Sequence, residues 1–142
     1  MNISAKTEYA SIAMLELAVN YGSGEPVRIR KIAETHGIPP RFLVQILLQL
    51  KGAGLVASTR GASGGYQLVR EPKDVSLGEI MDVVEGGNTE LTSNASVETP
   101  ASRVLMESWR DVSELEKQRL ASISLADLVE RVRSEGDSMF YI

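Results

Sequence analysis

Apolar residues in the first half of the chain recur at helical spacing and predict three helices. The first helix is predicted from Ser4, a suitable N-cap, to about Tyr21. The second begins between residues 27 and 30 and ends at Gly37, a residue type that favours helix C-termini. The third covers about residues 40–52 and begins with a proline at its first helical position.

The third helix has one apolar face and one mixed face. Its apolar positions follow the i, i+3, i+4, i+7 spacing and predict a buried set of Leu43, Ile46, Leu47 and Leu50. Its opposite face presents Arg41, Val44, Gln45 and Leu48. If this helix is rotated about its axis, Val44 packs inward instead.

After Gly54 the apolar period shortens and predicts a β-hairpin. Short strands are expected at Leu55–Ser58 and Tyr66–Arg70, with the turn TRGASGG between them. A phosphate-binding loop would need Lys-Ser or Lys-Thr followed by a helix, and a dinucleotide-binding glycine motif also needs a helix there. A hairpin tip explains the glycines better, because Gly61, Gly64 and Gly65 can each take a positive φ.

The second half of the chain is predicted to be helical. A capping box at residues 76–79 (SLGE), with Val75 and Ile80 as its hydrophobic staple, begins a helix that ends at Gly86-Gly87. Residues 86–100 form a polar loop that is expected to be mobile. A long helix follows from Ala101, and a final short helix begins at Ser124.

One stripe of the long helix is apolar and consists of Leu105, Trp109, Val112 and Leu115. Little chain remains to cover this stripe, so it is expected to pair with a second copy around a two-fold axis. The alternative is that it packs on the fourth and first helices of its own chain.

The elements of the first half predict a helix-turn-helix with a wing. Ala33 is small where two helices cross, Gly37 permits the turn, and Leu43 plugs the core. The predicted fold is therefore mainly α with a small β-hairpin: a winged helix-turn-helix, expected to bind DNA, over residues 1–72, and C-terminal helices that form a dimerisation and sensor region over residues 73–142. Arg60 at the hairpin tip is either a solvated turn residue or a DNA contact.

Charge is divided unequally between these two parts. Residues 1–72 hold eight Lys or Arg and five Asp or Glu, a net charge of +3, whereas residues 73–142 hold seven and fourteen, a net of −7. Such asymmetry suggests one part that faces a polyanion and another that faces a different partner. Chance distribution on a solvated surface is the alternative.

Candidate chemistry is sparse. The chain has no cysteine and a single histidine, His36, which excludes disulfides and thiolate-held clusters and makes an all-protein zinc site improbable. No nucleophile–base arrangement indicates an enzyme. A mean hydropathy of −0.06, the absence of a long apolar run and the absence of a secretory signal predict a cytoplasmic protein with no membrane partner.

Five segments together resemble the Rrf2 family of bacterial transcription regulators: AKTEYA, PVRIRKIAETHGIPPRFLVQIL, LVASTRGASGGYQL, VSLGEIMDVVEGG and ISLADLVE. The resemblance covers nearly the whole chain, and its most specific element is the RGASGGY wing. It implies a homodimer whose long helix mediates dimerisation. It also implies that the third helix enters the major groove of double-stranded DNA and that Arg60 reaches the minor groove.

Two departures from the family pattern restrict what the resemblance implies. Many members carry three cysteines after the fourth helix that hold an iron–sulfur cluster, and residues 86–100 have none. We therefore expect a cluster-free protein without a cofactor. The third helix of many members has an acidic residue before its glutamine, where this chain has Val44 before Gln45.

These arguments predict a sequence-specific regulator that binds a pseudo-palindromic operator. The signal is open and is carried by a small-molecule effector, a protein effector or neither. The alternative is a winged-helix module that binds proteins and reads no DNA. The candidate DNA-contacting residues are Lys6, Tyr9, Arg28, Arg41, Val44, Gln45, Lys51, Arg60, Gly61, Ser63, Gly64, Gly65 and Tyr66.

Overall fold

The computed structural model describes residues 1–62, 64–87 and 90–140, the last four by their backbone alone. Within these residues the fold is six α-helices, one short 3-10 helix (Pro72–Asp74) and one antiparallel hairpin, which confirms the predicted fold class. None of the described helices is long and apolar enough to cross a membrane. The elements are α1 (Ala5–Val19), α2 (Ile29–His36), α3 (Pro40–Gly52), β1 (Val56–Thr59), β2 (Gly65–Leu68), α4 (Leu77–Glu85), α5 (Pro100–Ser122) and α6 (Leu125–Phe140).

Helix α1 lies at the centre of the fold and packs against α2, α3, α4, α6 and β2. Its N-cap is Ser4, as predicted, because the Ser4 hydroxyl accepts a hydrogen bond from the Thr7 backbone amide at 3.1 Å. Three alanines on its buried face let the neighbouring helices approach closely, and Met14 and Leu17 fill the space between them; the alanines are Ala10, Ala13 and Ala18.

The turn between α2 and α3 has the geometry of a helix-turn-helix. Gly37 ends α2 with a φ of 66°, and the Ile38 amide donates to the Ala33 carbonyl at 3.0 Å. Ala33 and Leu43 are both buried. The four apolar residues of α3 that the spacing predicts as core are likewise buried.

The hairpin pairs Val56 with Leu68 and Thr59 with Gly65. Its second strand ends at Leu68, two residues earlier than predicted, and Arg70 turns away to bind Glu79. Val27, which precedes α2, adds a bridge to Tyr66 through reciprocal backbone hydrogen bonds of 2.9 and 2.8 Å. The wing is therefore fastened to the segment that begins the helix-turn-helix.

Two wing glycines, Gly64 and Gly65, are required because a side chain would not fit at either position. A Cβ on Gly65, which has a φ of 151°, would lie 2.5 Å from the Val27 carbonyl oxygen. Gly64 directly follows Ser63, which lies outside the described residues, so its positive φ remains a prediction. A side chain at Gly64 is excluded because its Cβ would overlap the Thr59 carbonyl oxygen. Gly61 does take a positive φ, of 103°.

The predicted caps of the second half form to different extents. The Ser76 hydroxyl accepts from the Glu79 amide at 3.1 Å, whereas the Glu79 carboxylate accepts from Arg70 Nη1 at 2.6 Å. Only half of the capping box forms here, because Arg70 is the better partner for a carboxylate. Between Ser124 and Asp127 both hydrogen bonds of a capping box form: the Asp127 amide donates to the Ser124 hydroxyl, and the Ser124 amide donates to the Asp127 carboxylate. The bond from the Ser124 amide holds the pKa of Asp127 below its usual value.

Two helices of the second half differ from their predicted extents. Helix α5 begins at Pro100, one residue early. Helix α6 has 16 residues and is not short. Of the polar loop, residues 86–87 and 90–99 are described and contain no helix or strand. The loop contacts α5 through Arg110, which donates to the Leu91 carbonyl at 3.3 Å. Asn88 and Thr89 of this loop lie outside the described residues.

One hydrophobic core joins the two halves of the chain. Leu125 and Val129 of α6 belong to the same buried cluster as Met14 of α1 and Leu47 of α3. The starts of α4 and α6 are also joined by backbone hydrogen bonds of 2.9 Å, from Leu77 to the Ile123 carbonyl and from Leu125 to the Val75 carbonyl. Residues 1–72 and 73–142 therefore fold around a common interior.

Candidate nucleic-acid interface

The outer face of α3 is an exposed surface of mixed polarity. Arg41, Val44, Gln45, Leu48 and Gln49 all lie on it and are exposed. Val44 exposes 42% of its surface, so it does not pack inward. These five side chains are one cation, two carboxamides and two aliphatic groups, with no acidic group among them. They are side chains suited to base edges in a major groove.

Arg41 is held over the ring of Phe42, with its guanidinium carbon 5.4 Å from the ring centroid. A cation above an aromatic face is attracted to it, by about 0.5–1 kcal/mol at exposed sites. This contact restricts Arg41 at the first turn of α3. The Phe42 ring itself is 49% exposed.

The wing projects Arg60 beyond the end of β1. Arg60 and Gly61 are exposed, and Ser63 lies outside the described residues. Lys51, the last basic residue of α3, donates to the Ser58 hydroxyl of β1 at 2.7 Å. This bond ties the end of α3 to the wing. Ser58 escaped the sequence analysis because only the folded hairpin brings it near Lys51.

Three candidate residues of the wing are buried or half-buried: Gly64, Gly65 and Tyr66. Tyr66 is buried, and its backbone is bridged to Val27, so a direct contact of its ring with DNA remains a prediction that this burial does not favour. Gly64 is also buried, and Gly65 is half-buried. The physical reason is that alternation along β2 directs Tyr66 and Leu68 to the same, core-facing side.

Three candidates lie at the starts of helices. Lys6 is exposed in the first turn of α1, and Tyr9, one turn later, is half-buried against the core. Arg28 is exposed as the residue that precedes α2. Arg28, Arg41 and Arg60 form no ion pair with any residue the structure describes, in contrast to Arg30, which binds Glu34 at 2.9 Å. The former three guanidinium groups are thus available to a polyanion.

Helices α1 and α4 meet at a carboxylate. The hydroxyls of Ser4 and Thr7 both donate to Glu85 Oε1 and hold its pKa below the usual value. A carboxylate with a depressed pKa in the folded state stabilises above its unfolded pKa and loses that contribution as the pH falls through the folded value. This junction therefore weakens in acid. It lies at one side of a groove of about 800 Å³ between the start of α1, α4 and α5.

The predicted apolar stripe of α5 is exposed to solvent. Trp109 exposes 57% of its surface, and Leu105, Val112 and Leu115 are similarly open. On the other side of α5, Met106 is buried and faces the chain's own core. The described part of the chain therefore does not cover the stripe by packing it on α1 or α4.

His36 has an ordinary structural position. Its Nε2 lies 3.2 Å from Glu16 Oε2, which links the end of α2 to α1. Within the described ranges, no group of three His, Asp or Glu residues could hold a metal ion.

Purified protein should contain no stoichiometric iron and no visible chromophore. Without thiolates, the remaining oxygen and imidazole ligands form a weak and unselective set for an iron–sulfur cluster. The measurement is visible absorption and iron analysis of an anaerobic preparation. Iron approaching one atom per chain would contradict this expectation.

Comparisons with known proteins agree with this geometry. The Rrf2 family, described as an iron-dependent transcriptional regulator, matches residues 3–131. The HTH-type transcriptional regulator CymR of Bacillus subtilis is 38% identical over the whole of both chains. The HTH-type regulator IscR of Cronobacter sakazakii is 34% identical over 91% of this chain and 80% of its own.

Solved structures show the same likeness. The structure of CymR, described as the global cysteine regulator of B. subtilis, superposes with a TM-score of 0.80 at 37% identity and covers 92% of this chain and 98% of its own. The structure of IscR of T. potens superposes with a TM-score of 0.75 at 35% identity, and the match covers 93% of this chain and 88% of the IscR chain.

Proposed function

Because the chain belongs to the Rrf2 family of helix-turn-helix transcriptional regulators, we propose that it binds a pseudo-palindromic operator as a homodimer. Its relatives are regulators and not enzymes. In this proposal α3 enters the major groove and the wing enters the flanking minor groove. The observation that carries it is the exposed α3 face, together with Arg28, Arg41 and Arg60, which have no ion-pair partner among the described residues.

The positions of the contacts follow from the way the wing is fastened. Lys51 ties α3 to β1, and Val27 ties β2 to the start of α2. Helix α3 and the wing can therefore dock on DNA as one rigid unit. In this arrangement the bases are contacted by Arg41, Val44 and Gln45. The minor groove is reached by Arg60 and Gly61. The DNA backbone is contacted by four further residues: Lys6, Tyr9, Arg28 and Lys51. Gly64, Gly65 and Tyr66 hold the wing in shape.

Dimerisation is supported by the uncovered stripe on α5. An apolar surface that includes an exposed tryptophan is costly to leave in water. A two-fold axis beside α5 would bury the stripe against its own copy and leave two α3 helices for two half-sites. Half-sites one helical turn apart, or a multiple of it, suit such a pair.

The second half of the chain is proposed to receive the regulatory signal. It carries a net charge of −7 and includes the polar loop, so a small-molecule or protein effector would meet a surface unlike the DNA-facing one. The B. subtilis relative CymR is described as a regulator of cysteine. Mapping the genomic sites this protein occupies, and reading off the adjacent genes, would indicate its own signal.

A protein-binding winged helix is the second candidate, and the exposed Phe42, Val44 and Leu48 favour it as much as they favour DNA. A salt titration of binding to random duplex distinguishes the two. Phosphate contacts give a steep fall of affinity with salt, with a log–log slope of about −0.9 per contact. We expect Lys6→Ala to reduce that slope by about one and Lys73→Ala, in the acidic half, to leave it unchanged. A flat wild-type response would favour the protein-binding alternative.

Exchanging Val44 for glutamate should change the base preference at one position of each half-site. The valine methyls can contact the C5-methyl of thymine, whereas a carboxylate accepts a hydrogen bond from cytosine N4. The preference for thymine should amount to about 1 kcal/mol, the low end for a base contact. Parallel selections from random duplexes with wild type and Val44→Glu measure the change. Identical selected motifs would contradict the assignment.

A further inference from the structure

The outer face of α3 repeats one chemical pair. Val44 and Gln45 are adjacent and exposed, and one turn later Leu48 and Gln49 are adjacent and exposed. Each turn thus presents an aliphatic group next to a carboxamide. Leu48 exposes 54% of its surface, more than Val44, although leucine is a residue type that usually packs in a core.

Both members of each pair suit the same base pair. A carboxamide can donate to N7 and accept from N6 of adenine, and an aliphatic group can contact the thymine methyl. A G·C pair offers neither a methyl group nor this donor–acceptor pattern. The helix PRFLVQILLQLKG also contains no acidic residue to accept from cytosine N4, and Arg41 is the exposed side chain suited to guanine at the start of the helix.

The spacing of the two pairs matches the spacing of bases. Residues 44 and 48 are four positions apart, which corresponds to about 6 Å along a helix. Two base-pair steps correspond to about 6.8 Å. If α3 docks as proposed, its first pair and second pair lie over base pairs about two steps apart.

We propose that this protein reads two A·T base pairs, about two steps apart, in each half-site, the first through Val44 and Gln45 and the second through Leu48 and Gln49. This inference rests on the proposed docking of α3 and deepens it by naming the class of operator. The wing supports it independently, because the exposed Arg60 suits a minor groove narrowed by A·T-rich sequence.

The thymine methyl groups provide a direct test. The bound sequence is first selected from random duplexes, and each thymine is then replaced singly by deoxyuridine, which keeps base pairing and removes only the methyl. We expect about fivefold weaker binding at two positions of each half-site, and no change at thymines outside the half-sites. For Leu48→Ala, the effect of deoxyuridine should disappear at one position and remain at the other.

The outcomes separate this inference from the proposed function. A selected motif that tolerates deoxyuridine everywhere, or that places G·C pairs under both turns, overturns the reading of A·T pairs and leaves DNA regulation intact. If no motif is selected at all, the proposed function fails together with it. Leu48→Ala removes an exposed side chain, so its circular dichroism spectrum should match that of wild type.

Discussion

Replacing Trp109 by glutamate should convert the protein to a 15.4 kDa monomer and weaken operator binding by at least about a hundredfold. Trp109 lies within the exposed stripe of α5. A carboxylate buried there on dimerisation would lose its hydration without gaining a partner, at a cost of several kcal/mol. The monomer would then meet one half-site at a time and lose the gain from linked binding.

Light scattering at micromolar concentration measures the first effect, and titration of a two-half-site duplex measures the second. Tyr21→Glu is the matched control, because Tyr21 is also an exposed aromatic residue but lies just beyond the C-terminal end of α1. It should remain dimeric. Trp109→Ala should weaken the dimer less than Trp109→Glu. A wild-type mass of one chain would refute the proposed dimer outright.

Replacing Arg60 by alanine should reduce operator affinity by roughly thirtyfold, or about 2 kcal/mol. A guanidinium in a narrow minor groove lies where the negative potential of DNA is focused, whereas a surface lysine meets a single phosphate. Arg60 forms no ion pair within the described residues, so its loss should leave the fold and the dimer intact.

The control for Arg60→Ala should remove a lysine that is expected to contact a DNA phosphate and that supports no part of the wing. Lys51 is unsuitable, because its hydrogen bond to Ser58 also supports the wing. Lys6→Ala is the better reference: Lys6 forms no ion pair within the described residues, although its charge helps to lower the pKa of Glu85, and its loss should weaken binding by a few fold at moderate salt. Equal losses for Arg60→Ala and Lys6→Ala would count against a minor-groove role for the wing arginine.

Features set by neighbouring residues were predictable from the sequence. Ser4 caps α1, Gly37 ends α2 and Ser124 caps α6, because each position depends on hydrogen bonds that reach only a few residues along the chain. The exposed faces of α3 and α5 were predictable for the same reason, since helical spacing determines which side chains share a face.

Features that depend on distant residues were not predictable in this way. The bridge between Val27 and Tyr66 joins a single residue to a strand far along the chain, with no alternating pattern to indicate it. That bridge explains the need for Gly65, because a Cβ there would meet the Val27 carbonyl oxygen. Likewise, Glu79 looks like half of a capping box until the fold brings Arg70 beside it.

The candidate DNA-contacting residues could be proposed from the sequence only as a set. Their division into side chains that face outwards and side chains that hold the wing required the hairpin in three dimensions. Arg60 and Gly61 remain candidates for contact, whereas Gly64 and Tyr66 are buried.

The common interior of the two halves has a consequence for how the protein melts. Because Leu125 and Val129 pack in the same cluster as Met14, heat or urea should unfold the whole chain in one cooperative transition, not two. A fragment ending at residue 72 would leave part of α1 without its apolar neighbours and should not retain the native fold. By linkage, any molecule that binds tightly to the acidic half (residues 73–142) should raise the temperature at which α3 unfolds as well.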